Sequence, residues 1–210
     1  MTAAWAKLRE LGFEVKTYMA DIDDDGLLRT FGTVALDFSE LEELLVHYTA
    51  KVIDPTDHAI GLATLAGLDF RKILEIFDTL IRERTSLRYT AVRNPPWKKT
   101  EQIEARLKPL VSMIDKVRER RNHIVHAYWR PSFAYDAASD SFIQTPEAAE
   151  SIKHYRKTDR GHITTRTRWT LAELQTLSTD IREAAHQLND FVTWANALVA
   201  KHKLFPEEDY

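Results

Sequence analysis

The residues best suited to chemistry lie in one stretch, "RERRNHIVHAYW" at positions 118–129. Arg121 carries a permanent planar cation whose donors match a carboxylate or a phosphate. His126 carries an imidazole, which accepts or releases a proton near neutrality. Asn122 precedes His126 by four residues, the spacing that brings two side chains together on a helix. Anion binding beside proton transfer is the chemistry these three residue types supply together.

The helix expected to carry them makes the arginine conspicuous. With Ile114 at zero and about 100° per residue, Ile103, Leu107, Leu110, Val111, Val117 and Val125 define one apolar stripe. Arg121 falls at about −20°, inside that stripe, whereas Arg118 lies at about +40°, Asn122 at about +80° and His126 at about +120°. His123 falls at about 180° and is expected to face solvent. A guanidinium on a core stripe does not shed its charge, so it must meet an anion or reach a wet cleft. One solution is an ion pair with a carboxylate of another helix, such as Asp69, Glu75 or Glu83, with His126 merely polar at a helix end. The other is an anionic ligand.

Four long amphipathic segments position this stretch. The first spans 27–53 and the second 58–90, separated by "DPTDH". Two prolines in "RNPPWKKT" end the second. The third runs from about Thr100 to Tyr128 through Pro109, where a kink is expected. The fourth follows a capping box of Thr170 and Glu173, with Trp169 and Leu174 as a hydrophobic staple. Residues 129–169 alternate and are rich in β-branched and aromatic types, which predicts a small β-rich insertion. Residues 1–26 form an N-terminal arm. The expected fold is therefore all-α, a four-helix up-and-down bundle with that insertion, in a single domain over 1–210.

Composition narrows the function classes. The chain has 210 residues and no cysteine, which excludes a thiol nucleophile, thiolate zinc sites and a disulfide framework. It lacks an apolar leader and any run of about 20 apolar residues, so a soluble cytoplasmic protein without membrane attachment is expected. The net charge of −3 hides an uneven distribution: residues 1–60 carry 5 basic and 12 acidic side chains, and residues 82–130 carry 13 basic and 5 acidic. Residues 151–169 add 6 basic and 1 acidic. Such local concentration points to an anion-binding surface or to a solvated charged face.

Two metal motifs fail on spacing. "DIDDDG" at 21–26 matches the first half of a calcium loop, but the position that needs a bidentate glutamate is Gly32. His123 and His126 point about 60° apart on an ideal helix and have no third ligand nearby. No metal and no cofactor is implied.

The spacing in "RNHIVH", late in the third of four long helices and followed by an insertion, resembles the motif of the HEPN superfamily, with Arg121, Asn122 and His126 at the matching positions. That resemblance implies a metal-independent endoribonuclease, often part of a toxin–antitoxin or antiphage system, acting as a homodimer with the two motifs across a shared cleft. In such an enzyme His126 takes the proton from a ribose 2′-OH or protonates the leaving oxygen, Arg121 stabilises the charge gathering on phosphorus, and Asn122 orients the imidazole or the phosphate. Products would carry 2′,3′-cyclic phosphate ends. Arg118, Tyr128 and Trp129 would hold the RNA by charge and stacking. An antitoxin would be a separate chain, and an acidic partner on the second helix is not singled out. The alternative is a non-catalytic helical module that binds nucleic acid, a nucleotide or a partner protein.

Overall fold

A computed structural model describes residues 25–90, 97–157 and 161–198. The N-terminal arm up to residue 24, including Asp21 and Asp23, lies outside them, as do "VRNPP" and most of the expected "DRG" turn. In chain order the elements are α1 (Asp25–Ile53), α2 (His58–Leu65), α3 (Phe70–Thr90), α4 (Trp97–Val125), β1 (Tyr128–Asp136), β2 (Ser141–Lys157), β3 (Gly161–Thr170) and α5 (Leu171–Leu198).

This is not a four-helix bundle, and two local causes account for the difference. The segment expected as one helix over 58–90 is two helices. Gly67 adopts φ +78, the left-handed conformation that ends a helix, and the Asp69 carboxylate then accepts the Lys72 N–H at 2.9 Å to start the next. Apolar residues continue at short steps through the break (Leu62, Leu65, Leu68, Ile73), which is why spacing alone reads through it, although Leu62 and Leu68 are exposed. The second cause is the β segment. It is a three-stranded antiparallel sheet in the order β1-β2-β3, and β2 alone is 17 residues long. The fold is a mixed one of helices and sheet.

Packing divides the chain into two compact units. The helical unit comprises Gly32–Arg121 and the chain from Gln175. Its core is made by Val34, Phe38 and Leu41 of α1, Ile73, Phe77 and Ile81 of α3, Ile103, Leu107 and Ile114 of α4, and Leu177, Ile181 and Leu188 of α5, all buried. Phe38 packs on Phe70 at 4.8 Å and Phe77 on Phe191 at 6.4 Å. α2 is seated by an N-cap, Asp57, whose carboxylate accepts from the N–H groups of Ala59 and Ile60. Before it, Asp54 Oδ1 accepts from Thr56 Oγ1 and from the backbone of Thr56 and Asp57, and these bonds hold its carboxyl below the usual range.

The sheet unit comprises Asn122–Leu174 with the start of α1 as far as Phe31. Leu27, Phe31, Ile124, Trp129, Ala148, Ala149, Trp169 and Leu174 are buried apolar residues of this unit. Trp129 and Trp169 lie on one face of the sheet, since Trp129 pairs with Ser151 and Ser151 pairs with Thr167, two residues from Trp169. The Trp169 indole donates to Ser151 Oγ at 3.1 Å, and that hydroxyl donates to the Thr167 carbonyl at 3.2 Å. The expected capping box forms as read: the Thr170 N–H donates to Glu173 Oε2 at 2.8 Å and the Glu173 N–H donates to Thr170 Oγ1 at 3.2 Å.

Glycines give a direct test of the helical packing. A Cβ on Gly61 would lie 2.3 Å from the Ala50 carbonyl oxygen, so α2 approaches α1 as closely as a bare backbone allows. A Cβ on Gly32, inside α1, meets nothing within 4 Å. Gly61→Ala is therefore expected to destabilise by about 1–3 kcal/mol through overpacking. Gly32→Ala should stabilise by roughly 0.5–1 kcal/mol through helix propensity. Thermal unfolding followed by circular dichroism checks the opposite signs.

Candidate functional site

α4 carries the motif at its C-terminal end. Asn122 stands in its last turn with Arg121 directly before it, and His126 stands in the turn that follows, its N–H donating to the Asn122 carbonyl at 3.3 Å. The division between the two units falls between Arg121 and Asn122, so the arginine belongs to the helical unit and Asn122 with His126 to the sheet unit. Five of the expected stripe residues, Ile103, Leu107, Leu110, Ile114 and Val117, are buried. Val125 is 45 % exposed and Ile124 takes the buried place instead. The buried face thus rotates once the helix leaves the helical core, and Arg121 is the last stripe position before it does.

The arginine meets an aromatic ring. Its guanidinium carbon lies 4.7 Å from the centroid of Phe38, itself a core residue, and the side chain is half-buried. A cation over a π face gains about 0.5–2 kcal/mol, which helps a charge sit on an apolar stripe. Two of the three carboxylates considered as ion-pair partners serve their own helix. Asp69 caps α3, and Glu75 binds Arg71 at 3.1 Å and Lys72 at 3.4 Å.

His126 is exposed, Asn122 is half-buried, and His123 is exposed as the wheel predicts. The flanking residues fare differently. Arg118 is bound by Asp115 at 2.7 Å and Glu119 at 3.6 Å, with only 14 % of its side chain exposed. Its charge is neutralised within its own helix. Trp129, expected to stack on a base, is a core residue: 3 % exposed, edge-on to Phe31 at 4.4 Å, with its indole N–H donating to the Ile124 carbonyl at 2.8 Å. That carbonyl is one of those a helix end leaves unsatisfied, so the tryptophan caps α4 and anchors β1. Tyr128 opens β1 opposite Ile152.

Other groups with chemical potential lie outside the motif. Between α4 and α5 a cavity of about 380 Å³ is lined by Arg106, Glu183, His186 and Asp190. His186 and Asp190 stand 3.3 Å apart at i,i+4, and Arg106 lies over Trp194 at 4.3 Å. A second cavity, of about 490 Å³, holds His47 and His58 with ring centroids 4.9 Å apart beside Glu40 and Glu43. On the sheet, Arg166 and Arg168 of β3 are both exposed. Sequence reasoning registered these arginines only as part of a charge count, because the strand register that puts them on one face was not yet known. No helix among the described residues is long and apolar enough to cross a membrane. No protein-family profile, no curated protein and no solved structure matches this chain.

Trp129→Phe keeps a ring against Phe31 but leaves the Ile124 carbonyl without its donor. The expected cost is about 1–3 kcal/mol in unfolding free energy. Affinity for single-stranded RNA, measured well below the melting temperature, should not change. Lost affinity with an unchanged melting temperature would return Trp129 to a stacking role.

Proposed function

We propose that this chain is a metal-independent endoribonuclease of HEPN type that works as a homodimer, with His126 as general acid/base and Arg121 stabilising the phosphate. The observation that carries the reading is the exposure of His126 on the turn ending α4, four residues after Asn122 and in the most basic part of the chain. An accessible imidazole meets the first requirement of an acid/base group, and the excess of basic residues over 82–130 favours a polyanionic substrate. Asn122 holds the histidine's backbone through its carbonyl and is assigned the role of orienting the imidazole or the phosphate. A toxin or antiphage role in the cytoplasm, with any antitoxin as a separate chain, is the setting that suits such an activity.

The proposed homodimer answers a geometric difficulty. On an ideal helix Arg121 and His126 project about 140° apart, which is awkward for one phosphate. An isologous two-fold contact lets the arginine of one protomer serve the histidine of the other. A second reading, a non-catalytic module that binds nucleic acid or a partner protein, is favoured by the seat of Arg121 over Phe38 and by the tie of Arg118 to Asp115, both structural roles.

Substitution separates the two. His126→Ala should lower RNA cleavage by roughly 10²–10⁴ fold, the usual contribution of a positioned acid/base group. His123→Ala, three residues away on the exposed side, should leave it unchanged. Mixing Arg121→Leu chains with His126→Ala chains should restore one working site per heterodimer. Equal loss in both histidine variants counts against His126 as the acid/base, and a mixture that stays inactive excludes the shared site.

A further inference from the structure

The face of the sheet opposite Trp129 and Trp169 is built around charge. In the antiparallel register Arg130 of β1 and Arg168 of β3 flank Glu150 of β2, and Arg166 stands across from Ile152 on the same face. Glu150 is the one carboxylate among the described residues of this face. It is already taken, because Arg130 binds it through Nε at 2.9 Å and also through Nη2. Arg166 and Arg168 remain exposed, and no hydrogen bond or ion pair engages either among the described residues. Two cations therefore project from alternate positions of a single strand with their counter-charge spent elsewhere. Residues two apart on a strand are separated by roughly 7 Å along it, close to the step between successive phosphates of an extended strand.

We propose that this sheet face is a docking surface for single-stranded RNA, with Arg166 and Arg168 each pairing one backbone phosphate. Charge complementarity favours a polyanion, and the regular spacing on a rigid strand favours a repeating one over the irregular carboxylates of an acidic protein. The same unit exposes three rings on the β1–β2 hairpin, Phe133, Tyr135 and Phe142, with Tyr135 and Phe142 in edge contact at 5.6 Å. Exposed rings are stacking platforms for unpaired bases. Sheet surface and hairpin lie in the unit that also carries Asn122 and His126. The surface extends the ribonuclease reading by giving its substrate a place to be held, and binding itself does not require cleavage.

The test uses the full chain with His126→Ala, so that RNA survives, and a labelled single-stranded oligoribonucleotide followed by fluorescence anisotropy over a range of KCl. Adding Arg166→Ala and Arg168→Ala should weaken binding about tenfold at low salt and reduce the salt slope by about 1.4, the release expected for two phosphates of a single strand. Arg166→Lys with Arg168→Lys keeps both charges and should preserve the slope. Arg71→Ala, at an exposed position in the helical unit, should change neither quantity. Affinity and slope unchanged in the double alanine variant overturn the proposal. So does aggregation of that variant with normal RNA affinity, which would make the arginines guards of an open sheet edge. If the double alanine chain does not fold, the lysine pair decides: a slope reduced despite retained charge overturns the phosphate contact. Failure here is distinct from failure of the ribonuclease reading. An unmutated chain that cleaves nothing yet binds RNA through this pair overturns cleavage alone, whereas an active enzyme whose KM ignores the pair overturns this surface alone.

Discussion

The bond from the Trp129 indole to the Ile124 carbonyl is the constraint on which the candidate site depends. A helix end leaves its last carbonyls without donors, and here one is met by the side chain of the residue that opens the sheet's buried face. The same ring packs edge-on against Phe31. A helix is thereby converted to a strand within three residues, and His126 is left on the surface of a fixed turn. The acid/base role proposed for His126 requires an imidazole that is held still and kept accessible at once. A capped helix terminus beside a sheet core supplies both conditions.

The same arrangement explains why the motif is not one uniform surface. Upstream of the turn α4 belongs to a helical core, and Arg121 is the last residue to face it, with its cation over Phe38. Downstream, the buried residues are those of the sheet unit, so burial switches from the stripe to Ile124 while Val125 turns out. Arginine suits such a border, since its planar head accepts an aromatic face on one side and an anion at its edge. This dual capacity is what the proposed phosphate role of Arg121 draws on, beside the stability its seat over Phe38 supplies. It also makes stability measurements an essential companion to any activity measured on Arg121 variants.

Much of this was legible in the sequence where the signal was local and periodic. The apolar positions of α1, α4 and α5, the Thr170–Glu173 box and the β character of 129–169 all follow from side-chain period or capping chemistry. The break at Gly67 was also written there, as a glycine followed by a capping aspartate, but apolar residues continuing at short steps on both sides masked it. What sequence did not convey was long-range. Trp129 looks like an accessible aromatic beside a polar motif, and only pairing with β2 shows that its side of the strand is the buried one. Arg118 looks free until Asp115, one turn earlier, is seen to hold it. Arg166 and Arg168 become one surface only when the register is known.

Incubation of the purified chain with mixed RNA in excess EDTA, followed by analysis of the product ends, tests the central claim most directly. The proposed acid/base chemistry of His126 requires no metal, because the 2′-oxygen, once its proton is removed, attacks the adjacent phosphorus and displaces the 5′-oxygen, which leaves as a hydroxyl after taking up a proton. The account predicts undiminished cleavage and 2′,3′-cyclic phosphate ends. Activity that is lost in EDTA and restored by a divalent cation, with 3′-hydroxyl ends, would contradict it.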